Sequence, residues 1–394
     1  MRRNRLILCA VIIAAGIFAS FYGGNVAYAL FYITLTVPAA SILYTIFVYC
    51  RFCLYQKIEQ KRVLKGELIP YEFTLSNEDV ISYTNIKVNF FTDRSSVLDT
   101  GGKTEYLLLP GESNTLKTML CCKYRGEYNV GVESVVITDY LFLFSITYPI
   151  ITKLNLTVLP RVFSLDKLKI SQDEQDPKKT NFHLSSSNEQ LDTDVRKYSG
   201  SDSRKLIHWK ASAKKHELLS RRYTDNAKTR IMLMMDLAPV KEHDLDKIII
   251  EDKIIESALS ITDYYKNNST NVVVCYDGSG LIKENINNVI DFEVFYQNCA
   301  YLNFNSKLKV ENLLYQQITD NPENFFGIII THSITSALYD TSMQAVSRGI
   351  DLTILFVSDD SSNSVKQLIQ NFNSLGIRVF RINSDDSIVD VLSA

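Results

Sequence analysis

The sequence predicts a composite fold, an all-β unit and an α/β unit behind a helical membrane hairpin, and three observations carry that prediction. Residues 6–22 and 26–50 are uncharged and mostly apolar, and each run is about long enough to cross a bilayer. Between residues 71 and 159 short stretches of period-two alternation recur between turn residues, as in a β-sandwich. Beyond residue 230 buried-type strands alternate with helix-length segments, which builds a doubly wound, mostly parallel sheet covered by helices on both faces. The chain has 394 residues, 46% hydrophobic and 22% charged, with a net charge of −2. That composition supports two or three folded domains and excludes both global disorder and a general affinity for nucleic acid.

The hairpin is assigned to residues 1–55. Gly23-Gly24-Asn25 separates the two runs, Arg2, Arg3 and Arg5 precede the first, and Arg51, Lys57, Lys61, Arg62 and Lys65 follow the second. Basic flanks at both ends place both on the cytoplasmic side of the cell (inner) membrane, with the bulk of the chain cytoplasmic. Ala27-Tyr28-Ala29 imitates a signal-peptide cleavage site. No polar stretch precedes it and the second apolar run continues through it, so an anchor is the better reading. Even after cleavage, residues 37–49 and their basic flank would return the chain to the cytoplasm. The seven cysteines are Cys9, Cys50, Cys53, Cys121, Cys122, Cys275 and Cys299. Their odd number and the lack of a second C-x-x-C unit argue against a disulfide framework and against zinc.

Residues 63–165 are assigned to the sandwich. Strand candidates begin at Tyr71, Ile86, Glu105, Leu116, Tyr128, Val135 and Leu154. Nothing in them clusters catalytic residue types. Leu141-Phe142-Leu143-Phe144 is expected to pack in the core rather than to seek a membrane. Residues 166–192 read as a polar loop or linker, with Pro177 and three consecutive serines.

The next segment, residues 193–225, contains the chain's one tryptophan and its densest basic cluster: nine cationic residues between Arg196 and Arg222 against Asp202 and Glu217. Ser199-Gly200-Ser201-Asp202 reads as a turn entering a helix N-cap. On the short helix that follows, Leu206, Trp209 and Ala213 share one face, which is expected to be buried.

Residues 226–394 form the α/β unit. Strands are expected at 230–236, 271–277, 326–331, 351–357 and 377–381, with helices at 244–266, 289–302, 308–319, 336–348 and 362–375. Ligands of such sheets bind beyond the carboxyl ends of the strands, a rim that here contains Asp236, Asp277, Thr331 and Ser358.

The basic segment resembles the signature of the bacterial family called domain of unknown function 58, through Val195, Arg196, Tyr198, Gly200, Asp202, Arg204, Ile207, His208, Trp209, Lys210, Ala211, Ala213, Lys214 and Leu218. Two upstream elements of that family have counterparts in Arg125-Gly126-Glu127-Tyr128-Asn129-Val130-Gly131 and in Asp139-Tyr140-Leu141-Phe142-Leu143-Phe144. Tyr-Leu-Phe replaces the family's usual Pro-Phe-Gly after the aspartate, so a differently shaped turn is expected there. The C-terminal unit resembles a von Willebrand factor type A domain, whose metal site uses Asp-x-Ser-x-Ser, a threonine and a second aspartate. Here Asp236 and Thr331 stand beside Ala238 and Val240. An ion that needs about six oxygen ligands is poorly served by that set, so neither metal nor cofactor is expected.

The chain is read as a membrane-anchored, non-enzymatic adaptor whose cytoplasmic domains dock protein partners, and the resemblance supplies candidates for those partners. Those partners would be a MoxR-type AAA+ ATPase system or a transglutaminase-like membrane protein. The signature residues Arg196, Tyr198, Gly200, Asp202, Arg204, His208, Trp209, Lys210 and Lys214 would form either a partner-binding surface or a structural clamp between domains. The alternative is an anion-binding or hydrolytic enzyme built around Asp202 and His208, with His216 and Glu217 as further acid-base groups. It is weakened by the eight-residue separation of the two histidines. One tryptophan and one tyrosine among the cations make a poor stacking platform, so no nucleic acid is expected.

Overall fold

The structure, a computed structural model, describes residues 1–98, 104–150, 153–171, 195–197, 209–215, 217–221, 230–242, 244–278, 280–321 and 325–393. It divides into two compact units, Met1–Arg161 with Gln297–Leu302, and Val162–Tyr296 with Asn303–Ala394.

The first unit begins with α1 (Arg2–Tyr22) and α2 (Gly24–Arg51). The chain reverses at Gly23 and Gly24, whose φ values of 58° and 83° are open to glycine at no steric cost. Both helices are long and apolar enough to cross a membrane, and most of their large apolar side chains are exposed along their length. The second helix does not end at the edge of the apolar run. Val48 and Phe52 are buried in the sandwich core, with Tyr44 and Tyr49 packed against it, and the rings of Tyr49 and Phe52 lie 5.7 and 5.3 Å from that of Tyr148.

Strand β1 (Cys53–Ile58) then follows the helix after a single residue. The hairpin therefore ends at Arg51 rather than near residue 55. A six-residue strand with Lys57 and Gln56 in it carries too little alternation to be told from a basic flank.

The other strands of this unit are β2 (Arg62–Leu64), β3 (Leu68–Ser76), β4 (Tyr83–Phe90), β5 (Ser95–Leu98), β6 (Glu105–Leu108), β7 (Ser113–Cys122), β8 (Gly126–Val130), β9 (Val132–Thr138), β10 (Ser145–Pro149) and β11 (Leu154–Leu159). They form sheets of order β1-β3-β7-β5, β10-β9-β4-β6 and β2-β11-β8. All pairings are antiparallel except β2 with β11. In β3 the alternation is plain: Ile69, Tyr71, Phe73 and Leu75 point into the core between more exposed neighbours, as a half-buried strand requires. Strands β3, β4, β6, β7, β8, β9 and β11 lie where the alternation predicts them. Those not anticipated, β1, β2, β5 and β10, are three to six residues long.

The second unit is built on a six-stranded mixed sheet. In chain order its strands are β14 (Arg230–Met235), β15 (Val272–Asp277), β16 (Leu281–Ile286), β17 (Phe325–Thr331), β18 (Asp351–Val357) and β19 (Arg378–Ile382), arranged β16-β15-β14-β17-β18-β19. All neighbours are parallel except β15 and β16, which form an antiparallel edge. The edge strand was not foreseen in the sequence; the turn chemistry at Asp277-Gly278 is that of its hairpin. Helices α4 (Asp244–Asn267), α6 (Val310–Asp320), α7 (Ser336–Ser347), α8 (Asn363–Ser374) and α9 (Ile388–Leu392) belong to this unit, as does α5 (Val289–Cys299) up to Tyr296, its last three residues falling in the first unit.

Buried Met232, Met234, Cys275, Phe325, Ile329 and Phe356 are among the side chains filling one face of the sheet. Most of α4 between residues 252 and 262 is buried. The reason is that residues 162–171 and the C-terminal segment lie over it. Ser260 accepts a hydrogen bond from the Phe163 amide at 3.0 Å, and Lys253 donates to the Asn383 carbonyl at 2.9 Å. Arg378 donates to the Ile170 carbonyl at 2.8 Å.

Candidate functional site

The described part of the signature is a strand, a helix and a strand. Strand β12 (Val195–Lys197) pairs antiparallel with β13 (Leu219–Arg221), Arg196 facing Ser220, and α3 (Trp209–Lys215) lies between them in sequence. The helix is fixed by Ser212, which is buried and whose hydroxyl accepts the Leu219 amide hydrogen at 2.9 Å.

This turns the expected buried face outward: Trp209 is 67% exposed, and Ala213 and Lys214 are exposed too. The physical reason is that a seven-residue helix with one large apolar side chain and one alanine specifies a face weakly, whereas a buried serine must find a partner. Tyr198, Gly200, Asp202, Arg204, Leu206 and His208 lie outside the described residues, as do most of residues 166–192. Lys210 belongs to α3.

The two upstream motifs have plain structural jobs. In the first, Arg125 donates to the carbonyls of Cys299 and Leu302 at 3.0 and 2.9 Å within the first unit, and the Tyr128 hydroxyl donates to the Tyr124 carbonyl at 2.8 Å. Gly131, with φ 85°, admits no side chain, because a Cβ there would sit 2.5 Å from Gln56 Oε1 and 2.8 Å from the Tyr71 hydroxyl. That Gln56 oxygen accepts from both the Tyr71 hydroxyl and the Val132 amide.

In the second motif, Asp139 is fully buried. One carboxylate oxygen accepts the amides of Leu143 and Phe144 at 2.7 and 2.8 Å, and the other that of Leu141 at 3.3 Å. Phe142 has φ 54° and occupies the glycine position of Pro-Phe-Gly. A left-handed turn is thus formed with a non-glycine residue, at a cost of about 1–2 kcal/mol.

This turn meets the base of the hairpin. Asn4 donates to the Leu141 carbonyl at 2.8 Å and Arg5 to the Leu143 carbonyl at 2.6 Å, while the Arg5 guanidinium lies 5.6 Å from the centre of the Phe144 ring. On the other helix, Tyr44 donates to the Ser82 carbonyl at 3.0 Å and its ring lies 4.4 Å from that of Tyr140. Arg51 pairs with Asp79 at 3.0 Å. Hydrogen bonds from Arg51 and then from Tyr83 hold the Asp79 carboxyl below its usual range. Of the run expected to pack in the core, Leu143 is buried and Phe144 half-buried, whereas Leu141 and Phe142 are 47% and 44% exposed.

In the second unit, the strand order reverses between β14 and β17, and the groups at the carboxyl ends of these strands converge there. Asp236 follows β14 and is buried; one of its oxygens accepts the Ala238 amide at 3.1 Å and the other the Thr331 hydroxyl at 2.6 Å. Nδ1 of His332 lies 3.6 Å from that second oxygen and has no hydrogen-bond partner among the described residues. Burial pushes the His332 pKa below its ordinary value, against the opposing pull of Asp236.

Val240 is buried, and Ala238 offers only its amide. The carboxylate thus ties the loop after β14 to the loop after β17 instead of presenting its oxygens to a ligand. One oxygen of the half-buried Asp277 accepts the Ser306 hydroxyl at 2.5 Å and the Leu308 amide at 3.2 Å. Ser358 accepts the Asp360 amide at 3.2 Å. Of these groups sequence reasoning missed the buried state of His332, whose only signal was its place next to Thr331.

No protein-family model matches the chain, and no curated protein matches it. Solved structures with partial likeness include an aerotolerance-related membrane protein from Bacteroides fragilis, at 12% identity over 41% of this chain and 94% of that one, with a TM-score of 0.30. BatB from Bacteroides thetaiotaomicron is similar at 12% identity over 40% and 91%, with a TM-score of 0.29. The pilus adhesin SpaC from Lactobacillus rhamnosus GG gives 10% over 40% and 28%, with a TM-score of 0.31. Likenesses this remote transfer neither fold nor function to this chain.

Proposed function

We propose that this protein is a membrane-anchored, non-enzymatic adaptor. Its hairpin crosses the cell (inner) membrane twice, and its sandwich, basic segment and α/β unit dock protein partners on the cytoplasmic side. The observation that carries the reading is the passage of α2 into the sandwich core through Val48 and Phe52. A hairpin packed this way holds a folded unit at the membrane instead of trailing it on a tether.

The rim of the mixed sheet supports the non-enzymatic part, because both oxygens of Asp236 and one of Asp277 accept from neighbouring hydroxyl and amide groups. Under this proposal the second unit is a von Willebrand factor type A-like domain that has lost its metal site. The basic segment, with Arg196, Lys210 and Lys214, is the partner-binding face, and a MoxR-type AAA+ ATPase is the partner. Two measurements on cells test it. A protease added outside should leave the soluble region whole, and affinity purification of the detergent-solubilised protein should recover the ATPase. Digestion without lysis would overturn the orientation, and recovery of the protein free of any ATPase would overturn the partner.

A further inference from the structure

Exposed apolar side chains occur at several places on the sandwich, and one group of them lies at the foot of the hairpin, where the helix geometry says what lies against it. At about 1.5 Å per residue, residues 6–22 of α1 span roughly 25 Å and residues 24–43 of α2 roughly 30 Å, the thickness of a hydrocarbon core. The lower end of that slab falls beside Arg5 on one helix and Tyr44 on the other. Both side chains grip sandwich turns, through the Leu143 carbonyl and the Ser82 carbonyl.

Leu141 and Phe142 protrude from the first of these turns, and Tyr140, half exposed, donates to the same Ser82 carbonyl at 3.0 Å. Val80 and Ile81, at 89% and 38% exposure, lie between Asp79, which is paired with Arg51 at the end of α2, and Ser82. Arg2 and Arg3, also exposed, stand one turn below the slab, where headgroup phosphates lie. Apolar loop tips, an aromatic with a polar end and arginines one turn away are what the boundary between headgroups and acyl chains accommodates.

We propose that the Asp139–Phe144 turn and the neighbouring Val80–Ile81 loop insert into the headgroup–acyl boundary of the leaflet at the hairpin's foot. The sandwich is then seated on the bilayer as a collar around the helices. The Asp139 carboxylate shapes the inserted tip by gathering three backbone amides, and the left-handed Phe142 turns its ring outward. The inference rests on the reading that the hairpin spans the membrane.

The test uses the full-length chain with Trp209→Phe as background, reconstituted in phosphatidylcholine–phosphatidylglycerol vesicles with or without lipid brominated along its acyl chains. A single tryptophan is introduced as Phe142→Trp, as Leu141→Trp in case the left-handed position does not tolerate the change, and as Tyr32→Trp on the exposed face of α2. The proposal expects emission to be lost to brominated lipid at position 32 and also at 141 and 142. Loss at 32 without loss at 141 and 142 overturns the collar and leaves the spanning hairpin intact. Absence of quenching at 32 overturns both. Blue-shifted emission at 142 that follows protein concentration but ignores brominated lipid identifies a second copy as the occupant and likewise overturns the collar.

Discussion

Replacing Asp139 by alanine removes a fully buried carboxylate that accepts three backbone amides. The contacts at 2.7 and 2.8 Å are charge-assisted hydrogen bonds, each contributing about 1.5–3 kcal/mol. The contact from Leu141 at 3.3 Å is long and adds little. Of the two short ones only the Leu143 donor is fully buried; water can reach the Phe144 amide in the variant, which halves that loss. The expected destabilisation is therefore about 3 kcal/mol, close to the penalty for stranding one buried donor and weakening another. For a unit of this size that lowers the midpoint of thermal unfolding by roughly 6–12 °C.

Asp139→Asn keeps an acceptor oxygen but not the charge and should lose about half as much. Scanning calorimetry of the detergent-solubilised protein, with both variants beside the parent, reads the difference. A shift below about 2 °C for Asp139→Ala, less than 1 kcal/mol by the same scaling, would refute the argument that the carboxylate holds the turn.

Three further outcomes follow from the second unit and the signature. Because burial holds His332 below its ordinary pKa of 6.5, the unfolded chain takes up that proton first. Its contribution to stability is whole above about pH 6.5 and is lost as pH falls below it. Denaturant unfolding at about pH 7 and 5 should cost the parent more than His332→Asn, and parallel losses would contradict this. Trp209→Ala should change stability by no more than about 0.5 kcal/mol, since the ring is largely exposed; a loss of several kcal/mol in the same unfolding assay would return the ring to a buried contact. Calorimetric titration of the full chain with about millimolar Mg²⁺ should give no heat of binding, and a heat that disappears in Asp236→Ala would restore a metal site.

The framework was legible in the sequence where the physics is local and repeated. The two apolar runs became α1 and α2, the alternation of Ile69, Tyr71, Phe73 and Leu75 became β3, and the apolar run around Met232 became β14. What escaped was decided by distant partners. Strand β1 exists because β3 offers it a complete antiparallel register, and the buried polar groups of α4 because a segment over eighty residues earlier lies on them.

The face of α3 was misread for the same reason, since Ser212 is committed by an amide seven residues away and not by any helical spacing. At the rim the sequence names Asp236, Ala238, Val240 and Thr331, but the clamp that joins Asp236 to Thr331 needs the register of β14 on β17. The exposure of Leu141 and Phe142 was hidden because an apolar run says that side chains avoid water and not whether protein or lipid replaces it.

The most direct test of the adaptor proposal is a binding measurement. The full-length protein in lipid nanodiscs is titrated with a purified MoxR-type ATPase from the same cell, over a salt series, beside a variant combining Arg196→Ala, Lys210→Ala and Lys214→Ala. The account predicts saturable binding that weakens as salt screens the basic face and that is weakened in the variant while its thermal midpoint stays with the parent. Equal binding by parent and variant would move the partner face elsewhere, and no binding by the parent at any salt would contradict the account.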